Sequence, residues 1–293
     1  MSKCNNTSLP VHLASVFNEW TSDKILPDDP RLIEESLLTL DSLNVKNISS
    51  EDLQYFNHAP NLIDLSISFT GDVDIRPLAS LQALRRLILR GGNLENLSSL
   101  TELKQLTHLD ISSSEIGDFS HISELATLKT LRVRDCDIDE LKVIQTLKGL
   151  VNLNLNENNI DNLGPLSELS CLKVLDLDGN EISDLEPISG LRNITWIHIA
   201  RNNVRDINPL TSLAKLNSLN LADNEVSNVD ALSKIPTLQW LGLAFNDIRD
   251  ISPLNFLPQL RYLDIEGDSF NQQSTRTHLP NLVRKGVEIF KGY

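Results

Sequence analysis

The 22 residues from Leu172 to Asn193, LKVLDLDGNEISDLEPISGLRN, decide the fold. With Leu172 as position 1, apolar side chains stand at positions 1, 4, 6, 11, 14, 17 and 20: Leu172, Leu175, Leu177, Ile182, Leu185, Ile188 and Leu191. Positions 4 and 6 alternate with polar neighbours, the period-2 pattern of a short strand. Steps of 22 residues in either direction land on Leu40, Leu62, Leu84, Leu106, Leu128, Leu150, Ile194, Leu216, Leu238 and Leu260, with no insertion or deletion. Across the nine full units from Leu62 to Leu257, 62 of 63 such positions are apolar, Asp72 being the exception. A chain that is 40% hydrophobic does not reach that by chance, so the chain is a repeat array.

Other positions add local structure. Position 9 is Asn in five successive units (Asn158, Asn180, Asn202, Asn224, Asn246), and an inward Asn there can satisfy backbone groups of neighbouring coils as a ladder. Earlier units carry Gly92, Ser114 and Cys136 instead, so the ladder is expected to be less regular on that side. Position 13 is acidic or amide throughout, from Asp74 to Asp250, and these are mostly capping and turn types. Calcium binding by this row is the weaker reading. Position 16 is Pro77, Pro165, Pro187, Pro209 and Pro253, which suits the first turn of a short helical or 3₁₀ segment. One coil alone buries too little to fold; stacked coils cover one another. The expected architecture is an α/β, right-handed solenoid, a horseshoe with parallel strands lining a concave sheet and short helical or 3₁₀ segments on the convex side.

The run Leu172, Leu175, Leu177, Asn180, Ile182, Asp184, Leu185, Pro187, Ile188, Leu191 resembles the leucine-rich repeat in its 22-residue subclass, shared by internalin-like bacterial proteins and phosphatase-regulatory subunits. The resemblance covers about residues 40–290 and implies a scaffold for protein recognition, commonly through the concave strands. Residues 1–39 are expected to form an N-terminal helical cap, with Leu13, Val16, Phe17 and Trp20 as one amphipathic stripe. Residues 40–266 make the solenoid of 10–11 coils, and 267–293 a C-terminal cap whose Leu279–Leu282 and Gly286–Ile289 stretches are similar to the closing segment of bacterial repeat proteins.

Composition narrows the function. Forty acidic against 26 basic residues give a net charge of −14, which disfavours nucleic acid and anionic membranes, since both are met mainly through Lys and Arg. Cys4, Cys136 and Cys171 have no disulfide or metal spacing, and Cys136 at position 9 is read as an inert core thiol. The start has no basic and apolar leader, and about 18 consecutive apolar residues occur nowhere, so a cytoplasmic protein, or one exported without a cleaved signal peptide, is expected.

Recognition must come from side chains turned out of the concave sheet, at positions 3, 5 and 7, with 2 and 8 at the margins; neighbouring coils place equivalent residues about 5 Å apart. In the C-terminal half, position 3 runs Val174, Trp196, Ser218, Trp240, Tyr262; position 5 runs Asp176, His198, Asn220, Gly242, Asp264; position 7 runs Asp178, Ala200, Ala222, Ala244, Glu266. Trp196, His198, Trp240, Tyr262 and Phe245 are the expected partner anchors, rimmed by Asp176, Asp178, Asp264 and Glu266. The competing reading is that these aromatics only stiffen the sheet. In the N-terminal half, Arg86, Arg90, Arg132 and Arg134 form a candidate patch for an anion or acidic peptide, against the reading of a solvated face.

No enzyme, cofactor or metal site is expected. His198 beside Asp176 could pass a proton, but no nucleophile or anion hole accompanies them. The expected function is a monomeric, non-enzymatic scaffold or adaptor for a protein partner, the acidic rim favouring one with a basic patch, such as a bacterial effector would be. A regulatory subunit of an enzyme such as a phosphatase, or a ligand or glycan sensor, are the alternatives.

Overall fold

A computed structural model of the chain describes residues 37–290 apart from residue 49; the expected N-terminal cap, with Trp20, lies almost wholly outside the described residues. The chain divides into two compact units, Met1–Leu128 and Lys129–Tyr293.

In the first unit, β1 (Ser42–Ile48), β2 (Asp64–Phe69), β4 (Arg86–Arg90) and β6 (His108–Ser112) pair in parallel, each 22 residues after the last: Asp64 stands beside Arg86 and Arg86 beside His108. Between them β3 (Asp72–Asp74), β5 (Asn93–Glu95) and β7 (Glu115–Ile116) form a second parallel sheet that the repeat pattern does not announce. The second unit runs β8 (Thr130–Arg134), β9 (Asn152–Asn154), β10 (Val174–Asp176), β11 (Trp196–His198), β12 (Ser218–Asn220), β13 (Trp240–Gly242), β14 (Tyr262–Asp264) and β15 (Glu288–Phe290), again all parallel. The last step follows a π-helical turn (Ser274–His278) and a short helix (Leu279–Arg284), after which β15 closes the sheet against β14.

Repeat positions become packing directly. Leu175, Ile197, Leu219, Leu241 and Leu263, all at position 4, are fully buried, while their neighbours in the same strands, Gly242 apart, are not. The break at Asp72 is resolved by a one-residue shift: Asp72 is exposed and Val73 takes the core place beside it. The return segments from Arg76 to Phe256 are 3₁₀ rather than α-helical, and the five position-16 prolines each sit in the first turn of one of them. The position-13 side chains act as expected turn residues, one residue earlier than a helix cap: the Asp184, Asp206, Asn228 and Asp250 oxygens each accept from the backbone N–H two residues on.

The asparagine ladder is present in the second unit. Asn180 Oδ1 accepts from Ile160 N at 3.0 Å, and its Nδ2 donates to Leu155 O and Leu177 O, also at 3.0 Å. Asn158, Asn202, Asn224 and Asn246 repeat the same donations with the same offsets. Cys136 is buried at this position, as its register implies. One step before the ladder, position 8 has a left-handed backbone in nine successive coils: Gly91, Ser113, Asp135, Glu157, Gly179, Arg201, Asp223, Phe245 and Gly267. The strand therefore leaves the sheet through one left-handed residue per coil, a conformation costing roughly 1–2 kcal/mol wherever that residue is not glycine.

Candidate partner-binding face

On β11, Ile197 points into the core, so Trp196 and His198 on either side of it point outward. The same alternation turns Trp240 and Gly242 out of β13 and Tyr262 and Asp264 out of β14. Trp196 is 37% exposed and Tyr262 42%. The Trp196 and His198 rings meet edge-on at 4.5 Å between centroids, and Trp240 leans toward His198 from the other side at 5.7 Å. Trp240 can lie this way because Gly242 has no side chain; a Cβ there would stand 2.8 Å from the indole Cη2 and 2.5 Å from Asn220 Oδ1. The aromatics thus both pack on one another and keep exposed surface, so the two readings of their role coexist in one cluster.

Phe245 occupies the left-handed position 8 with φ 55° and is 54% exposed, its ring lying over Gly267. A bulky aromatic on that backbone, turned to solvent, gains little for folding. Ala200 and Ala244 are buried and Ala222 half-buried, which leaves the surface between the aromatics low.

The carboxylates differ among themselves. Asp264 Oδ1 accepts from Glu266 N at 3.3 Å, while Asp176 and Asp178 gather against His198. Burial pushes the Asp176 and Asp178 carboxyls up from the usual carboxylate range, and burial pushes His198 down, against the opposing pull of Asp178 and Asp176. Burial thus favours the neutral form of the His198 imidazole. Asp178 was read in the sequence only as rim; its place beside His198 comes from positions 5 and 7 meeting across β10 and β11, a diagonal that row-by-row reading overlooks.

The four arginines divide between the units. Arg86 and Arg90 stand exposed on β4, Arg86 within 3.7 Å of Asp64, while Asp110 is buried and accepts from Ser112 Oγ at 2.6 Å. On β8, Arg132 is exposed and Arg134 half-buried, with its Nε enclosed and unpartnered. A further apolar surface that the sequence did not flag surrounds Phe256, 72% exposed beside Asn255, Asn281 and Arg284. No helix among the described residues is long and apolar enough to cross a membrane.

These features define a leucine-rich-repeat solenoid. Residues 192–248 match the family model for the leucine rich repeat, and residues 168–185 match a second leucine rich repeat model. No curated protein matches the chain. Among solved structures, an internalin from Listeria monocytogenes is similar over 99% of this chain and 95% of its own, at 22% identity and a TM-score of 0.76. A leucine-rich-repeat protein of Leptospira interrogans is similar over 89% of this chain and 74% of its own, at 21% identity and TM-score 0.74. A plant peptide hormone receptor in complex with RGF2 shares 18% identity over 83% of this chain and 50% of its own, with TM-score 0.57. Domains of this kind are in general non-catalytic binding modules.

Proposed function

We propose that the chain is a non-enzymatic scaffold or adaptor that binds a protein or peptide on the outward face of β10–β14. One observation carries this reading: Trp196 and Tyr262 on their strands, and Phe245 in the turn after β13, remain partly solvent-exposed around a low floor of Ala and Gly. Aromatic anchors beside small residues are what a partner's side chains need for a desolvated hot spot. The rim of Asp176, Asp178, Asp264 and Glu266 favours a partner whose contacting surface is basic, mainly through faster association and selection against acidic competitors. The plant receptor held in complex with RGF2 supports the general mode, a ligand bound by a repeat solenoid. The acidic balance of the chain argues against nucleic acid as the partner. In this reading the chain works as a monomer, in the cytoplasm or after export, as an internalin-like adaptor or effector would.

The test is a quantitative capture of partner by the wild type and by a Trp196→Ala/Trp240→Ala variant. Bound partner should fall at least about tenfold, as expected for loss of hot-spot residues. The melting temperature should move by only a few degrees, because both indoles lie on the solvent side of the sheet. Undiminished capture by the double variant overturns the site.

A further inference from the structure

We propose that Asp176, Asp178 and His198 bind a divalent first-row transition-metal ion, Zn²⁺ foremost, on the outer face of β10 and β11. Asp176 and His198 are direct register partners across the two parallel strands, and Asp178 projects two residues beyond Asp176 on the same side. One ligand atom from each lies within 4.8 Å of the other two. Metal–ligand bonds of about 2.0–2.2 Å set ligand atoms roughly 3–3.5 Å apart, so side-chain rotation of about 1 Å closes the set.

The donor chemistry selects the ion. Two carboxylate oxygens with one imidazole nitrogen suit Zn²⁺ and its first-row neighbours, whereas Mg²⁺ and Ca²⁺ require all-oxygen shells. Asp176 Oδ1 is enclosed with no hydrogen-bond partner, an acceptor that the protein itself does not use. One oxygen of each carboxylate is held as ligands are in built sites: Asn154 Nδ2 donates to Asp176 Oδ2 at 2.7 Å, and Ala200 N donates to Asp178 Oδ1 at 2.6 Å. The imidazole is steadied between Trp196 and Trp240. Two cations act on the carboxylates, Arg134 on Asp176 and Arg201 on Asp178, and Arg201 is itself paired with Glu157. The shifts already described agree in sense: half-buried carboxylates that resist ionising gain from a dication, and a neutral imidazole is ready to coordinate. Three protein ligands leave coordination positions open on the face where the floor is Ala200 and Ala222. There, water or a side chain of a partner can complete the shell.

The full chain is titrated with ZnCl₂ by calorimetry at pH 7.5, and with CoCl₂ by visible absorption; CuCl₂ quenching of tryptophan fluorescence reports proximity to Trp196. A single ion should bind per chain and quench fluorescence. Affinity should fall roughly 100-fold or more in His198→Ala and at least about tenfold in Asp178→Asn, and should weaken as pH drops from about 7.5 to 5.5. His198→Gln, which keeps the ring's polarity and much of its volume, serves as the check that lost binding is not lost folding, by its metal-free melting temperature. Absence of saturable binding overturns the proposal, and so does saturable binding that survives in the His198 variants. The titration needs no partner, so its failure leaves the partner-binding reading standing, and a chain that binds Zn²⁺ yet captures nothing overturns only that reading.

Discussion

Leaving β2, β4 and β6, the chain of the first unit passes through Thr70, Gly92 and Ser114; leaving β9 to β13, the chain of the second passes through Asn158, Asn180, Asn202, Asn224 and Asn246. Both sets occupy repeat position 9, and the consequence for the backbone differs. In the second unit the amide side chain takes the carbonyls at positions 6 and 7 and supplies an acceptor to the coil before, and the regular strands shorten to three residues. In the first unit no amide is there to do this. The strands continue to five residues or more, and the backbone beyond them pairs with itself as β3, β5 and β7. Gly71 O accepts from Asn93 N and Gly92 O from Glu115 N; in the second unit the same position-10 N–H groups also find backbone carbonyls, as Glu181 N does at Ile160 O, and it is the position-11 N–H that turns to the asparagine side chain. Buried polar groups must be satisfied, and a repeat without Asn satisfies them by making more sheet.

That contrast can be broken most severely at the middle of the ladder. Asn180→Ala strands the Ile160 N–H in a buried place and leaves Leu155 O and Leu177 O with one amide donor each, from Asn158 and Asn202. Losing several such bonds should cost about 3–5 kcal/mol, read as a lowered urea midpoint. A loss below about 1 kcal/mol would mean that water or rearranged backbone replaces the amide, and the ladder would not be what sets strand length.

In the first unit the equivalent weak point is a glycine. Gly92 has φ 75°, and an added Cβ would sit 2.8 Å from Gly71 O and 3.1 Å from Phe69 Cβ. Gly92→Ala should therefore destabilise by about 2–3 kcal/mol through both backbone strain and overlap. Hydrogen exchange should report the loss first in β3 and β5, whose pairing the glycine permits. Uniform loss of protection across the unit would argue that the second sheet is not a separate device.

Ser114 sharpens the comparison because it imitates an asparagine in part. Its Oγ lies 3.0 Å from Ser112 O and 3.2 Å from Gly91 O, but it has a single proton to give them. Ser114→Ala should cost about 1 kcal/mol, well below the cost at Asn180, in the same urea measurement. Equal costs at the two positions would remove the distinction between the units.

Most of this architecture is legible in residue spacing, for a physical reason. A solenoid repeats one local environment, so every inward position must be apolar in every coil, and 22-residue spacing with the Leu175-and-Leu177 alternation determines strand, face and register together. The asparagine ladder is legible for the same reason. The second sheet of the first unit is not, because it depends on what Thr70, Gly92 and Ser114 fail to supply, and short β-pairs carry no apolar period of their own. The outward rows are legible as rows: Trp196, Trp240 and Tyr262 stand on the face that their positions imply. The lean of Trp240 over Gly242, and the meeting of Asp178 with His198, depend on rotamers and on diagonals between coils, which periodicity does not encode.

The smallest expected effect lies where the ladder ends. Asp268 follows Asn246 by 22 residues and takes the ladder place, its Oδ1 accepting from Ile248 N at 3.1 Å as each Asn does from the coil before. The other oxygen, Oδ2, is enclosed without a partner, at the atom where an asparagine would carry its NH₂. Burial accordingly raises this carboxyl to about 6, with the neighbouring Asp247 charge pushing the same way. The folded pKa exceeds the unfolded value near 3.9, so the group's favourable contribution is complete below pH 4 and is lost as pH rises through about 6. Asp268→Asn removes that dependence. It should raise stability at pH 7.5 by about 1 kcal/mol, a figure reduced for the partial solvent exposure of the site, and should confer no advantage at pH 4. Urea midpoints of the two proteins at both pH values measure this. An advantage of equal size at pH 4 would trace the gain to better packing and not to charge. No advantage at pH 7.5 would show that solvent already satisfies Oδ2, and that the ladder closes with Asn246.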